Sequence, residues 1–135
     1  MSIERLNPPE LIPPEGHTHA VRVTGGTTIY VSGQGPYTAD HTLVGPGDHY
    51  AQSAQAFRNV QHALAAAGAR FTDVVKANYY VVGLGPTALD GFVRAMQDVL
   101  GTDADPPPAA TLVGVEALAY PEMLVEFEVI AVVDG

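Results

Sequence analysis

The stretch LVEFEVIA, residues 124–131, alternates apolar and acidic side chains. Successive side chains of a β-strand point to opposite faces, so Val125 and Phe127 share one face of a predicted strand. Glu126 and Glu128 share the other face. A carboxylate in a central strand costs free energy unless water, a partner or a functional site lies behind it. We therefore interpret Glu126 as either a functional carboxylate or a residue on the hydrated face of an antiparallel sheet.

Outside this strand, hydrophobic periodicity predicts the element order ββαβαββ. The first two strands are expected to form a hairpin, because Gly25 and Gly26 can adopt the positive φ of a tight turn. Asp48 is a suitable N-cap for the first helix, and Thr87 with Asp90 predicts a capping box for the second. The predicted strands are residues 20–23, 28–32, 74–82, 110–116 and 123–133, and the predicted helices lie within residues 48–68 and 87–101.

This order predicts an α+β fold with one sheet and two helices on one of its faces. The other face then needs water or a second copy of the chain, so an oligomer is expected. With 47% hydrophobic content, residues 1–135 are expected to form one domain. The opening segment contains the pairs Pro8-Pro9 and Pro13-Pro14, which favour an extended arm along a surface.

The composition is acidic, with 15 Asp and Glu against 6 Lys and Arg and a formal net charge of −9. Polyanions bind clustered basic side chains, and the basic residues here are scattered singly. We therefore expect a small-molecule partner, and neither nucleic acid nor a membrane.

Cysteine is absent, which excludes a disulfide, a thiolate nucleophile and a Cys-ligated zinc. No stretch is apolar enough to cross a bilayer and residues 1–5 lack the features of a secretory signal, so a cytoplasmic location is expected.

Five segments occur in order along the chain: YVSGQ at 30–34, AAAGA at 65–69, DVVK at 73–76, PAAT at 108–111 and VEFEVIA at 125–131. In this order and spacing they resemble the RidA (YjgF) family of enamine/imine deaminases, over nearly the whole chain. The resemblance implies a chorismate-mutase-like α+β fold and a homotrimer whose sheets form a central β-barrel, with clefts between the subunits. It also implies a hydrolase activity of the enamine/imine deaminase type.

The resemblance assigns roles to five residues of this chain. In deaminating members, an Arg in the motif Pro-Ala-Arg-Ser/Thr grips the carboxylate of a 2-imino acid, and a Glu near the chain end holds the attacking water. Glu126 matches that catalytic Glu, whereas Ala110 stands where the Arg is expected. In the substrate-binding pocket, Ser32 matches the family serine and His17 replaces a tyrosine. Leu112 stands where many members have a Cys whose backbone carbonyl contributes to the site.

The missing arginine changes the expected substrate. A bidentate Arg–carboxylate pair combines two charge-assisted hydrogen bonds, each worth about 1.5–3 kcal/mol, so its loss removes most of the grip on an anion. The resemblance therefore implies a small, largely uncharged enamine, imine or carbonyl metabolite bound between subunits, and not a standard 2-iminopropanoate deaminase. The alternative is a non-catalytic sensor of a small ligand or a partner-binding trimer. Ribonuclease activity, which has been attached to parts of the family, is disfavoured by the acidic charge.

Other roles stay open for several of these residues. Ser32 lies beside glycines and would also suit a hydrogen bond within a turn. His17 and His19 would point the same way in an extended segment and start a metal site completed by Glu126 or Glu128. Isolated histidines are more often structural or exposed, so we expect no metal. The Gly-rich segments match neither a P-loop nor a dinucleotide fingerprint, and no cofactor is expected.

Overall fold

Six strands and two helices make up the fold, in a computed structural model that describes residues 1–135. They are β1 (Ser2–Leu6), β2 (Ala20–Thr24), β3 (Thr27–Gln34), α1 (His49–Ala66), β4 (Val74–Val82), α2 (Pro86–Leu100), β5 (Ala109–Val115) and β6 (Val125–Val133). The central sheet has the strand order β3–β6–β4–β5, in which β6 is antiparallel to both neighbours and β5 is parallel to β4. The helices pack on each other and on one face of this sheet. The predicted α+β fold is confirmed.

The N-terminal region departs from the prediction. Ser2–Leu6 forms a strand that was not predicted, and this strand pairs antiparallel with β2. The hairpin predicted around Gly25 and Gly26 is wrong, because β2 and β3 belong to separate sheets. Between β1 and β2, the Arg22 guanidinium donates two hydrogen bonds to the Glu4 carboxylate, at 2.9 and 2.7 Å. The observed order is therefore βββαβαββ.

The first helix begins and ends where the sequence predicts. The Asp48 side chain caps its first turn, and Gly68 follows its last turn with a φ of 77°. The second helix begins at Pro86, and no side chain caps it. The capping box predicted from Thr87 and Asp90 is wrong, because the helix already begins at Pro86, whose fixed φ suits the first helical position, and Thr87 therefore lies inside the helix. Neither helix combines the length and the apolar character needed to traverse a bilayer.

The core lies between the helices and one face of the four-stranded sheet. Its centre is aromatic, with ring centroids 4.6 Å apart for Phe57 and Phe127 and 4.9 Å apart for Tyr79 and Phe92. Val125 and Phe127 are both 0% exposed, while the two glutamates of β6 lie on the other face of the strand. The alternation predicted for this strand is thus present.

No helix packs on the opposite side of the four-stranded sheet, which we call the open face. It consists of the side chains that strand register places on the same side as the two glutamates of β6. Tyr30 is 77% exposed there, so this face is accessible to water or to another chain. The open-face residues that matter below are Tyr30, Ser32, Lys76, Asn78, Tyr80, Thr111, Glu126 and Glu128.

Candidate functional site

A cleft of about 500 Å³ opens between α2 and β5, at the edge of the sheet. Leu112 of β5 stands level with Tyr79 of β4, which is buried under the helices. Leu112 and Ala110, two residues earlier, therefore face α2 and line the cleft. We call this cavity the α2 cleft. Its volume lies within the range of about 300–1,000 Å³ that is usual for small-molecule sites.

The segment that carries His17 is fixed to the start of β5. The Thr18 backbone N–H donates to the Pro108 carbonyl at 3.0 Å, and the Thr18 hydroxyl donates to the Pro107 carbonyl at 2.6 Å. The Nδ1 atom of His17 lies 3.0 Å from the carbonyl oxygen of Glu15. Thr18 is buried, so these bonds hold His17 on the lining of the α2 cleft. Thr18 was not singled out from the sequence.

The α2 cleft carries acidic side chains and no Lys or Arg. Its ionisable lining residues, apart from a buried tyrosine, are Glu15, His17 and Asp105. The ion pairs of the chain involve other residues, so no basic side chain neutralises either carboxylate. Ala110 adds only a methyl group to this lining. A ligand carboxylate would therefore meet no cation of this chain in the cleft.

Ser32 and Glu126 lie on the open face. β3 has a bulge there, since Ser32 and Gly33 together stand opposite one residue of β6. The bulge brings the Gly33 backbone over the Glu126 carboxylate, and a Cβ added to Gly33 would lie 2.5 Å from Glu126 Oε2. Ser32 is exposed, and its carbonyl accepts a hydrogen bond from the Gln34 side chain at 3.2 Å. The Ser32 hydroxyl and the Glu126 carboxylate make no hydrogen bond within the chain, which leaves both free for a ligand.

Glu128, the second acid of β6, is held by neighbouring side chains. Its Oε1 atom accepts hydrogen bonds from Asn78 Nδ2 at 3.1 Å and from Tyr80 Oη at 2.8 Å. The bond to Glu128 raises the pKa of the Tyr80 phenol. Lys76 on the same face donates to the Thr111 hydroxyl at 3.3 Å and forms an ion pair with neither glutamate. The Glu128 carboxylate is therefore hydrogen-bonded to other side chains of the sheet, whereas the Glu126 carboxylate is not.

Within a single chain, the five predicted site residues lie in two separate groups. His17, Ala110 and Leu112 meet in the α2 cleft, on the helix-covered side of the sheet. Ser32 and Glu126 lie around the β3 bulge on the open face. Because the sheet stands between the two groups, one chain does not bring all five residues together.

The two histidines considered for a metal site contact each other and not a carboxylate. Their rings pack edge to face with centroids 4.8 Å apart. The Nε2 atom of His19 lies 2.6 Å from the Ile12 carbonyl oxygen, and the ring of His17 bonds to the backbone as described above. Glu126 and Glu128 lie on the open face, so they do not complete a site with His17 and His19. No three His, Asp or Glu side chains of the chain lie close enough together to hold a metal ion.

A buried glutamine, which the sequence reasoning missed, positions the start of β6. The Gln52 side chain is 0% exposed, and its Nε2 donates to the carbonyls of Gly45 and Glu122, each at 3.2 Å. Its Oε1 accepts from the backbone N–H of Leu124 at 2.7 Å. The Tyr37 hydroxyl donates to the Glu122 carboxylate at 2.7 Å, and burial together with this bond raises the pKa of Tyr37 to about 12. The signal in the sequence is a glutamine within the apolar stripe of α1.

The four-stranded sheet carries two helices on one face, and the α2 cleft lies at its edge. These features define an α+β protein with a candidate ligand site beside the sheet. Residues 10–133 match the sequence model of a family described as Endoribonuclease L-PSP. The chain belongs to this family, the RidA or YjgF/YER057c/UK114 family. The resemblance found in the sequence is thus confirmed.

Three relatives illustrate the similarity. The mitochondrial protein MMF1 of Saccharomyces cerevisiae is 32% identical over 123 residues, which cover 91% of this chain and 80% of MMF1. YyfB of Yersinia pestis, a Rid family protein of unknown function, is 36% identical with a TM-score of 0.86, over 98% of this chain and 100% of YyfB. RidA of the Antarctic bacterium Psychrobacter sp. is 30% identical with a TM-score of 0.69, over 86% of this chain and 87% of that one.

Proposed function

We propose that this protein is a single-domain, homotrimeric RidA-like enzyme that binds and hydrolyses a small, largely uncharged enamine, imine or carbonyl metabolite. The observation that carries the proposal is the α2 cleft without Lys or Arg, where Ala110 contributes only a methyl group. A 2-imino acid needs a cation for its carboxylate, so standard deamination of 2-iminopropanoate is not the proposed activity. The proposal includes a cytoplasmic location and no cofactor, nucleic-acid or membrane partner.

The proposed site forms between subunits. Ser32 and Glu126 of one copy meet the α2 cleft of the next copy, which supplies His17 and Leu112. The division of these residues between two faces of one chain supports a site completed by a second copy. The open face supports it as well, since Tyr30 is 77% exposed and no helix covers it. In the proposed trimer, the three open faces form the central β-barrel.

Imine hydrolysis at this site needs one water molecule and a carboxylate that moves protons. Glu126 takes a proton from water as the water oxygen bonds to the imine carbon, and the C=N electron pair moves to nitrogen, which is protonated from solvent. The nitrogen of the resulting carbinolamine then takes the proton held by Glu126. The C–N bond breaks, ammonia leaves with the bonding pair, and the hydroxyl proton passes to water as the carbonyl product forms. Ser32 orients the ligand by a hydrogen bond from its free hydroxyl.

The substrate preference provides the direct test. Acetone imine and 2-iminopropanoate are generated in the assay by added amine oxidase and amino acid oxidase, with O₂ as the oxidant, from isopropylamine and alanine, and carbonyl formation is measured above the buffer rate. We expect the neutral imine to be accelerated at least about tenfold more than the anion, because a single missing charge-assisted bond is worth this much. Faster hydrolysis of 2-iminopropanoate would contradict the proposal.

Gly33→Ala is expected to lower the turnover of the neutral imine by about 100-fold, the usual result of displacing a catalytic group by about 1 Å. The added methyl group would lie 2.5 Å from Glu126 Oε2 and so moves the carboxylate. Gly85→Ala is the matched control, because a Cβ at Gly85 has no neighbour within 4 Å. Thermal unfolding of both variants verifies that the fold is kept. Equal turnover in the two variants would show that the position of Glu126 does not matter.

Sedimentation is expected to show a particle with three times the 14.1 kDa mass of the chain. Tyr30→Asp places a charge on the open face, which the trimer would bury, and is expected to shift the particle towards monomer. Tyr120→Asp is the control, since Tyr120 is also exposed, at 47%, but lies outside the sheet. A wild-type monomer would overturn the shared site.

A non-catalytic sensor or partner-binding trimer is the second candidate. The observation in its favour is the Glu126 carboxylate, which no side chain of its own chain orients by a hydrogen bond. A sensor would bind a neutral imine analogue in the α2 cleft and leave the hydrolysis rate at the buffer value. Turnover that depends on Glu126 excludes this candidate.

A further inference from the structure

The α2 cleft has an apolar side that takes no part in the proposed hydrolysis mechanism. Leu89 and Val93 stand one helical turn apart on α2 and are 42% and 41% exposed. Together with Met96 of the same helix and Leu112 of β5, they turn apolar side chains to the cleft. Apolar surface left in contact with water is unfavourable, so a ligand that covers it gains affinity. A substrate as small as acetone imine would leave most of this surface uncovered.

The same cleft contains two carboxylates that the chain does not neutralise. Glu15 precedes His17, and Asp105 lies between α2 and β5. Both are exposed, and neither takes part in an ion pair. The formal net charge of −9 adds a field of the same sign. The cleft therefore attracts a cation and repels an anion.

We propose that the ligand of the α2 cleft is an amphiphilic cation, a planar protonated C=N group joined to an apolar group of about the size of a phenyl ring. This inference rests on the proposed function and names its substrate class, hydrophobic imines that have no carboxylate and whose only charge is the proton that the imine nitrogen takes up. The apolar group packs on Leu89, Val93 and Met96, and the charged nitrogen faces Glu15 and Asp105. A cleft of about 500 Å³ holds such a molecule. When the imine nitrogen is protonated before water adds, that proton is the one that the nitrogen takes from solvent in the proposed mechanism.

Three stable, planar and nearly isosteric compounds test this charge preference. Benzamidinium is the cation, benzamide its neutral counterpart and benzoate its anion. Isothermal titration at low ionic strength measures their affinities for the trimer, and amide shifts in NMR spectra of labelled protein locate their site. We expect benzamidinium to bind about tenfold more tightly than benzamide, as two exposed charge pairs allow, and benzoate to bind more weakly than benzamide. Acetamidinium, which has the charge without the ring, is expected to bind more weakly than benzamidinium.

Two double variants distinguish the effect of the cleft carboxylates on this preference from the effect of the net charge of the chain. In Glu15→Gln/Asp105→Asn, the preference for benzamidinium over benzamide is expected to disappear while the affinity for benzamide is kept. Glu10→Gln/Glu116→Gln removes the same number of charges from residues that do not line the cleft, and is expected to keep the preference. Added salt should reduce the preference in the wild-type protein.

Several outcomes overturn the inference. They are equal affinities for benzamidinium and benzamide, binding of none of the compounds, amide shifts confined to the open face, or the same loss of preference in both double variants. A protein that hydrolyses acetone imine without preferring benzamidinium overturns the inference and keeps the proposed function. A protein that prefers benzamidinium and hydrolyses no imine keeps the ligand class and overturns the proposed hydrolysis.

Discussion

Ala110→Arg is expected to raise the hydrolysis of 2-iminopropanoate by about 10²- to 10⁴-fold over the wild-type protein. The reason is the pair of charge-assisted hydrogen bonds between a guanidinium and a carboxylate, together worth about 3–6 kcal/mol. Ala110 faces the α2 cleft, whose volume of about 500 Å³ leaves room for the longer side chain. Glu15 and Asp105 also line the cleft and compete for the guanidinium, so we expect the lower end of this range. Initial rates of pyruvate formation, measured over a range of substrate concentrations, give the result.

The matched control is Ala110→Gln, which adds length and hydrogen-bonding capacity without a charge. It is expected to leave the rate for 2-iminopropanoate near the wild-type value. Ala110→Lys provides a point charge without the bidentate geometry and is expected to give an intermediate gain. If the Arg variant is no faster than the Gln variant while its oligomeric state and thermal unfolding are unchanged, residue 110 does not contact the substrate carboxylate. The proposed reason for the altered substrate would then be wrong.

Local patterns were enough to predict most of the elements. The alternation of residues 124–131 predicted the two faces of β6, and the interval from Asp48 to Gly68 predicted α1, because strand alternation and helix caps depend on near neighbours. The pairing of β2 was not predicted, because its partner β1 was itself not predicted as a strand. The glycines at 25 and 26 permit a tight turn but do not determine which strand becomes the partner.

The five site residues named from the sequence stay a prediction, and their arrangement in the chain could be predicted only in part. The resemblance pointed to Glu126 and Ala110, and the alternation put Glu126 on the second face. That Ala110 lies on the helix-covered side depends on the register of β5 with β4, which no local pattern shows. The contact of Gly33 with the Glu126 carboxylate joins residues far apart in sequence, and a bulge creates it. The two groups of site residues therefore depend on strand register and on a bulge, and neither can be predicted from neighbouring residues alone.

Glu126→Gln is expected to lower the turnover of a neutral imine by about 10²- to 10⁴-fold, the usual contribution of a positioned general base. The amide has nearly the same shape as the carboxylate, so the contact with Gly33, the fold and the oligomeric state should persist. It cannot accept the proton from water, however, so the addition step loses its base. Ligand affinity should change little, because the ligand is held mainly in the α2 cleft. The rate under saturating substrate and the affinity for benzamide are the two measurements.

Glu128→Gln is the control, because it removes the same charge from the same face of the same strand. Glu128 already accepts hydrogen bonds from Asn78 and Tyr80, and a Gln side chain keeps an acceptor oxygen for them. We expect this variant to keep most of its turnover. An equal loss of turnover in both variants would mean that turnover depends on the total charge of the open face and that Glu126 is not the general base. Full turnover in Glu126→Gln would remove this carboxylate from the mechanism.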